Sequence, residues 1–365
     1  MPNPIPVSDD AELFARAERL RAEDRPAEAE ALYRDILSRQ PRHLAARRGL
    51  AEVLSTLGRA ENAAAARRKA RALEAENLCK VADAALLHGR FDAAITCFER
   101  ALELEPDSRE AIRSLAEAWY GRRNLKKALG LYRRYLELNP GSVIGTHMVA
   151  ALGDGPKPPR ASDDYVRALF DRFAEDFDRK LVEDLGYRGP ELLLEAVTGV
   201  LPRSPPRLDI LDLGCGTGLV GLQFRPLARR LEGVDLSPKM IEHARARGIY
   251  DAIWAAELTA AMEAMNEKFD LLVAADVFIY LGDLEQVFAA AAGALRPGGL
   301  FAFTLEWWHR PGYRLQGSGR YAHNPAYVRK SAKAAGFKEV SGTEAELRLE
   351  FRKPVKGYVS IMRKA

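Results

Sequence analysis

Leu211-Asp-Leu-Gly-Cys-Gly-Thr-Gly-Leu-Val-Gly221 is the stretch on which the reading of this chain turns. Ile210 and the leucines around it make a short apolar strand that carries Asp209 and Asp212. Glycines follow at Gly214, Gly216 and Gly218, and then a helix-like run begins. Glycine at alternate positions lets the backbone take left-handed dihedrals and lets a ligand lie against bare main chain. A second apolar strand, Leu231-Glu-Gly-Val-Asp-Leu236, ends in Asp235, 21 residues after Gly214. A carboxylate at the tip of the neighbouring strand can accept from both hydroxyls of a ribose. These features together imply an adenosine-containing cofactor.

Gly216-Thr-Gly-Leu-Val-Gly221 also satisfies the dinucleotide pattern G-x-G-x-x-G, so a nicotinamide cofactor is the competing reading. Asp212 weighs against it. A carboxylate just inside the glycines would repel a pyrophosphate, yet could hold a cationic ammonium group directly or through water. Farther on, Phe269-Asp-Leu-Leu-Val-Ala-Ala-Asp276 reads as a strand ending in an acid. Leu295-Arg-Pro-Gly-Gly-Leu-Phe-Ala-Phe303 reads as a helix end, a turn and another apolar strand. In this order and spacing, D-L-G-C-G-T-G, V-D-L-S, F-D-L-L-V-A-A-D and L-R-P-G-G-L resemble the class I S-adenosylmethionine-dependent methyltransferases over residues 165–365.

The resemblance implies a Rossmann-like α/β domain with a seven-stranded, mostly parallel sheet and S-adenosyl-L-methionine as cofactor. It implies that Gly214, Gly216 and Gly218 pass under the methionine and ribose, with Asp212 toward the amino group and Asp235 on the ribose hydroxyls. Leu236 and Met240 would flank the adenine, Glu257 and Leu258 would lie beside its amino group, and Asp276 would sit by the reacting centre. For Met240 and Leu258, plain core packing is the equal alternative. Phe170, Phe173 and Phe177 recur at helical spacing ahead of the first strand, which suits a helix docked on the core or a lid over the cofactor.

Transfer from a sulfonium centre asks chiefly for positioning, and a base matters where the acceptor must lose a proton. His323 and Tyr280 are the catalytic candidates, His323 because it falls in an expected loop, Ser318–Pro325, beside Arg320 and Tyr321. Trp307-Trp308-His309 is a candidate aromatic wall, and a helix start is expected at Asn324-Pro325. Asp/Asn-Pro-Pro-Tyr, a mark of base or amide nitrogen methylation, is absent after the fourth strand, where Ala-Asp-Val-Phe-Ile-Tyr280 stands. Two other readings stay open: a nicotinamide-binding oxidoreductase, and a non-catalytic scaffold that keeps the methyltransferase fold.

The first 140 residues lack strand-like alternation and repeat themselves. Alanines recur at Ala17, Ala51, Ala82 and Ala116, and again at Ala29, Ala63, Ala94 and Ala128, both series spaced 34, 31 and 34. Tyr33, Phe98 and Tyr132 follow four residues after the second series, and Pro41, Pro106 and Pro140 close units. This period resembles tetratricopeptide repeats, and the whole chain resembles bacterial proteins that fuse such an array to a class I methyltransferase domain. The second unit departs, with Arg67 at the aromatic position, no closing proline and about three residues missing against the period. The expected organisation is an all-α helical-repeat solenoid over 9–152, about four units and a capping helix, then a Pro/Gly-rich linker over 153–164 and the catalytic domain over 165–365. The array would serve a protein or peptide partner, a macromolecular substrate, or dimerisation.

A net charge of +4 gives no support to nucleic acid as a partner, and the short basic runs read as solvated helix faces. No apolar run approaches a membrane span, and the N-terminal residues lack the pattern of a secretory signal. Cys79, Cys97 and Cys215 have no metal-ligand spacing, so no metal and a reducing, cytoplasmic setting are expected.

Overall fold

The structure is a computed structural model. It describes residues 9–365 apart from 154, 175, 176, 180, 182, 184, 266 and 267, and apart from the side chains of Asp9, Arg172 and Phe173. The chain divides into two compact units, Met1–Leu86 with Arg90–Arg122, and Leu87–Gly89 with Arg123–Ala365.

Among the described residues the first unit consists of helices joined by short turns: α1 (Asp9–Ala22), α2 (Pro26–Arg39), α3 (Leu44–Thr56), α4 (Ala60–Leu87), α5 (Phe91–Leu104) and α6 (Arg109–Gly121). Seven of the eight recurring alanines fall in it, and each is at most 2% exposed. A methyl group is all that fits where two helix backbones approach closely. Glycine does the same for the aromatics. A Cβ on Gly49 would stand 2.4 Å from Tyr33 Cζ, and one on Gly121 would stand 2.0 Å from Phe91 Cε1. The irregular second repeat has a structural counterpart in α4, whose 28 residues run unbroken past the point where a proline turn was due. At 1.5 Å per residue this helix is about 42 Å long. Arg67, which stands at the aromatic position, is exposed.

The second unit begins with α7 (Leu125–Leu138) and α8 (Val143–Leu152). Here α8 is more than a cap for repeats. His147 Nε2 lies 2.8 Å from the Gly319 carbonyl oxygen, its ring stacks on Tyr165 at 3.9 Å, and Ala151 shares a core cluster with Tyr165, Leu315 and Tyr321. The expected linker is docked as well. The Tyr321 hydroxyl donates to Pro158 O at 2.8 Å, Gly282 N and Asp283 N both donate to Pro159 O at 2.8 Å, and Ala161 N donates to Tyr280 O at 2.9 Å. The described part of 153–164 is therefore a strap on the second unit, because backbone carbonyls next to proline still accept hydrogen bonds.

Three helices follow, α9 (Asp163–Phe173), α10 (Phe177–Arg179) and α11 (Gly189–Val200). Then come β1 (Leu208–Leu213), α12 (Leu219–Phe224), β2 (Ala228–Asp235), α13 (Pro238–Ala246), β3 (Ala252–Ala255), α14 (Leu258–Ala264) and β4 (Phe269–Ala274). The rest of the chain supplies α15 (Glu285–Ala294), β5 (Leu295–Trp307), β6 (Tyr313–Leu315), β7 (Tyr321–His323), α16 (Pro325–Ala334), β8 (Phe337–Glu350) and β9 (Lys353–Lys364). The sheet order is β3-β2-β1-β4-β5-β7-β6, with β9 antiparallel on β5 and β8 outermost on β9. Among the described residues it has nine strands rather than seven. Ser318–Pro325, expected as a loop, contributes Tyr321–His323 to an antiparallel ribbon, in which Tyr313 opposes His323 and Leu315 opposes Tyr321. Asn324 begins α16 as expected, its side chain accepting from Ala326 N at 2.9 Å with Pro325 in the first turn.

Alternation along each central strand feeds two cores. Leu211, Leu213, Phe301 and Phe303 pack on one face with Phe288 of α15, while Ile210, Leu271 and Val273 pack on the other with Leu193 of α11 and Phe224 of α12. The chain leaves β1 toward β2 and β3, then returns to β4 on the other side of β1. That reversal opens a crevice at the carboxyl ends of β1 and β4.

Candidate active site

All six residues of β1 are buried, and the strand runs straight into the glycine loop. Gly214, Gly216 and Gly218 all have left-handed φ, at 66°, 53° and 95°. Side chains rarely adopt such angles, which is why three glycines are needed. Gly214 N and Cys215 N donate to Val234 O at 2.8 and 3.0 Å, which ties the loop to β2. A Cβ on Gly214 would lie 2.5 Å from Val277 Cγ2, whereas one on Gly216 would meet nothing nearer than Phe177 Cε1 at 3.9 Å. The main chain at Gly216 thus faces open space.

That space is a cavity of about 300 Å³. Of the residues singled out in the sequence, Gly214, Gly216, Asp235, Leu236, Glu257, Leu258, Asp276 and Tyr280 line it. Asp235 is the best-held of them. Its Oδ2 accepts from Gly216 N at 2.9 Å and its Oδ1 from Ser237 N at 2.8 Å. Burial pushes its carboxyl up from the ordinary range, although both backbone donors pull the other way. Glu257 caps α14 through Ala260 N at 2.9 Å and meets Arg160 at 3.4 Å.

Four of the expected residues lie elsewhere. Asp212 is fully buried beneath the loop, where its Oδ2 accepts from the Tyr250 hydroxyl at 2.7 Å and its Oδ1 has no hydrogen-bond partner among the described residues. Burial pushes this carboxyl up to about 7, with the Tyr250 hydrogen bond opposing. Gly218 is the turn into α12, packed near Arg247 and Tyr250. Met240 is completely buried in α13. His323 is the main correction among the catalytic candidates. It sits in β7 with no exposed surface, 3.1 Å from Gly282 O through Nε2, and burial drives its pKa down to about 4. The residue is a neutral core imidazole, and it does not border the cavity. The Trp307-Trp308-His309 wall is likewise not among the lining residues.

The helix with the aromatic stripe does cover the cavity. Phe170 and Phe177 line it, with rings 5.8 Å apart, and Phe170 meets Tyr280 edge-on at 5.6 Å. Phe173's side chain and residues Glu175, Asp176 and Lys180 of this segment lie outside the described residues. Polar ties hold the cover down. Asp178 accepts from the Thr217 hydroxyl and from Arg247, and Asp171 accepts from the Ser237 hydroxyl.

The sequence reading missed a charged wall. Arg320 and Arg348 both line the cavity. Arg348 donates to Asp276 Oδ2 and to Glu306 Oε1, and Arg320 donates to Glu306 Oε1 at 2.7 Å and to Glu350. Burial pushes the Glu306 carboxyl up, but Arg320 and Arg348 outweigh it and hold the group below its ordinary range. Asp276 lies between these guanidiniums and the glycine loop in a left-handed backbone conformation, φ 53°, with its amide donating to Thr304 Oγ1 at 2.8 Å. An aspartate held so at a strand end is a strained position, typical of a functional edge. A charge, Glu306, set between the run Leu300–Leu305 and Trp307-Trp308 was the sequence signal available for this wall.

With this geometry in view, the chain can be set beside known proteins. Residues 210–299 match the model of the methyltransferase domain, and residues 14–76 and 80–143 match that of the tetratricopeptide repeat. The chain joins a tetratricopeptide array to a methyltransferase domain. The cofactor of such a domain is S-adenosylmethionine. The bare loop at Gly216 and the lone pairs left on Asp235 fit its adenosine part. The methyltransferase domain is 45% identical over 86 residues to methyltransferase-like protein 27 of Homo sapiens, covering 23% of this chain and 35% of that protein. It is 28% identical over 156 residues to a ubiquinone biosynthesis O-methyltransferase of Xanthomonas oryzae, covering 40% of this chain and 64% of that one. The chain thus spans less than two thirds of either relative. Among solved structures, the N-methyltransferase NodS of Bradyrhizobium japonicum, in complex with S-adenosyl-L-homocysteine, aligns at 18% identity with a TM-score of 0.44, over 55% of this chain and 98% of that one. No helix among the described residues is long and apolar enough to cross a membrane.

Proposed function

We propose that this chain moves a methyl group from S-adenosylmethionine to an acceptor held in the same cavity, and that its repeats recruit or orient a partner or macromolecular substrate. Asp235 carries the reading. A carboxylate has about four lone-pair sites, and the two taken by Gly216 N and Ser237 N leave one on each oxygen for a pair of ribose hydroxyls. When bound, S-adenosylmethionine supplies a methyl group already activated for in-line displacement. The chain's own residues hold, orient and keep out water. Gly214 and Gly216 keep the floor bare, Glu257 and Leu258 border the adenine, and Leu236 sits beside them. α9 and α10 shield the site, with Phe170 and Phe177 as their inner surface.

Where the acceptor carries a proton, Asp276 is the group in this wall that can take it, because burial raises its affinity for a proton above that of an ordinary carboxylate. Tyr280 has the opposite role. Burial pushes its phenol further up, so it keeps its proton and acts as a hydrogen-bond donor. Several curated relatives are named as O-methyltransferases, which favours an oxygen as the acceptor atom. Free cysteines at Cys79, Cys97 and Cys215 support a cytoplasmic setting.

Calorimetry that compares S-adenosylhomocysteine with reduced nicotinamide adenine dinucleotide tests the cofactor. Saturable binding of the first and none of the second is expected, and the reverse would replace the reading with an oxidoreductase. Label from methyl-tritiated S-adenosylmethionine should then reach an acceptor in a lysate. Binding without any transfer would support a scaffold.

A further inference from the structure

The cavity ends in charge for which binding the cofactor has no use. Along the carboxyl edge of the sheet its lining runs from Glu257 and Asp235, through the glycine loop, to Asp276 after β4, and then to Arg348 on β8 and Arg320 just before β7. The first part of this row is the cofactor side. The second lies beyond the switch between β1 and β4, beside β5, where an acceptor has to lie to reach a methyl group held over the glycine loop.

Two guanidiniums are held there from behind. Glu306 accepts from both, and Glu350 accepts from Arg320. The side chains of Arg348 and Glu306 are each 5% exposed, and that of Arg320 is 21% exposed. Counted as a cluster, three carboxylates face two guanidiniums, which would favour a cation. Position decides the other way: Glu306 and Glu350 do not line the cavity, so that two guanidiniums face it there beside the single carboxylate of Asp276, which Arg348 already neutralises. Arginine offers five N–H donors in a planar fork matched to a carboxylate. Arg320 spends Nε and Nη2 on Glu306 and Glu350, and its Nη1 makes no hydrogen bond among the described residues. Much of the cavity that this fork lines is apolar and aromatic, with Leu169, Phe170 and Leu281 among its members.

We propose that Arg320 and Arg348 are the anion-binding end of the acceptor site, so that the acceptor is a small organic acid whose carboxylate these guanidiniums hold. Its apolar body lies against Phe170 and Leu281. Glu306 is a positioning residue: it aims both forks and touches no ligand. The inference rests on the methyl-transfer reading above, and it names the acceptor class of that same site.

The test uses the full chain saturated with S-adenosylhomocysteine and three matched probes, 3-phenylpropionate, 3-phenylpropionamide and 3-phenylpropylamine, which differ in charge and little in shape. Calorimetry should show the carboxylate binding at least tenfold tighter than the amide, with the amine weakest. Arg320→Gln should remove most of that gap, and Arg320→Lys should keep part of it, since a positive charge remains without the fork. Affinity for S-adenosylhomocysteine should hold in both variants, which also reports that they are folded. A preference for the amine, binding of no probe, or an unchanged gap in Arg320→Gln would overturn the proposal. Failure of S-adenosylhomocysteine itself to bind the unaltered chain would instead strike the methyl-transfer reading, so the two failures are told apart.

Discussion

Replacing Asp235 by alanine is the sharpest perturbation of the cofactor side, and its size follows from the bonds already made. One lone pair on each oxygen is taken by Gly216 N and Ser237 N, at 2.9 and 2.8 Å, and one on each remains. Two hydrogen bonds to ribose hydroxyls are therefore available. At about 1.5–3 kcal/mol for each bond to a charged group, their loss comes to about 3–6 kcal/mol. Since ~1.4 kcal/mol is a factor of ten, affinity for S-adenosylhomocysteine should fall by at least about a hundredfold. Stability changes less, because losing the two backbone bonds is partly offset by removing a buried carboxylate whose charged form burial disfavours. Calorimetry on Asp235→Ala, with circular dichroism to check folding, measures both. Asp235→Asn keeps a side-chain acceptor and should fall between the two. A folded alanine variant that binds S-adenosylhomocysteine as tightly as the unaltered protein would remove Asp235 from the site and take the ribose argument with it.

Asp212 gives a pH prediction. Its folded pKa, about 7, lies above the ordinary carboxylate value, so between about pH 4 and 7 the folded state holds a proton that the unfolded state has lost. Its contribution to stability is present at low pH and is lost as pH rises through 7. Asp212→Asn should therefore flatten the fall in melting temperature between pH 5 and 8, and parallel curves for the two proteins would refute the assignment. Truncation gives the other test. A chain beginning at Arg123 retains the second unit except Leu87–Gly89 and should bind S-adenosylhomocysteine like the full chain. One beginning at Ser162 loses the bonds from His147, Pro158, Pro159 and Ala161, at about 1 kcal/mol each. It should melt several degrees lower, and equal melting temperatures would mean that the strap contributes nothing.

Local pattern explains what could be read from the sequence. β1, the glycine loop and Asp235 lie within 28 residues, and each step has one physical requirement: an apolar strand, left-handed angles, a carboxylate at a strand tip. The repeat alanines were readable for the same reason, since close helix contact recurs at a regular spacing and admits little else. The misreadings have a different origin. His323 stands between Gly319 and Asn324-Pro325, which look like loop on both sides, and three residues are too few for alternation to mark β7. Its burial comes from the ribbon with β6 and from Gly282. Asp212 was placed by its position in a motif, but Tyr250, 38 residues away, holds it beneath the loop. The wall of Glu306, Arg320 and Arg348 joins three strands across 42 residues, a distance at which no periodicity speaks. Gly153–Asp164 looked like a linker because proline and glycine mark breaks in helices, and composition says nothing of where the carbonyls between the breaks find donors.

The cover over the cavity shows how these parts depend on one another. Asp178 binds Thr217 of the glycine loop and Arg247 after α13, and Asp171 binds Ser237, the residue that also donates its amide to Asp235. Each tie of the lid thus ends on the loop, on the cap of α13, or just beyond that helix. These bonds are all side chain to side chain and partly exposed, hence worth about 1 kcal/mol apiece, and on the proposed reading a cofactor that enters between Phe177 and Gly216 parts them. Phe170 and Phe177 line the cavity under this cover, and the polar ties fix its register on the glycine loop and the cap of α13. Charge on the proposed acceptor side is placed differently, on strands β5 and β8 and at the mouth of β7. On the proposed reading, a cover tied to the glycine loop and to α13 lies over the cofactor side, and a charged wall stands on the acceptor side.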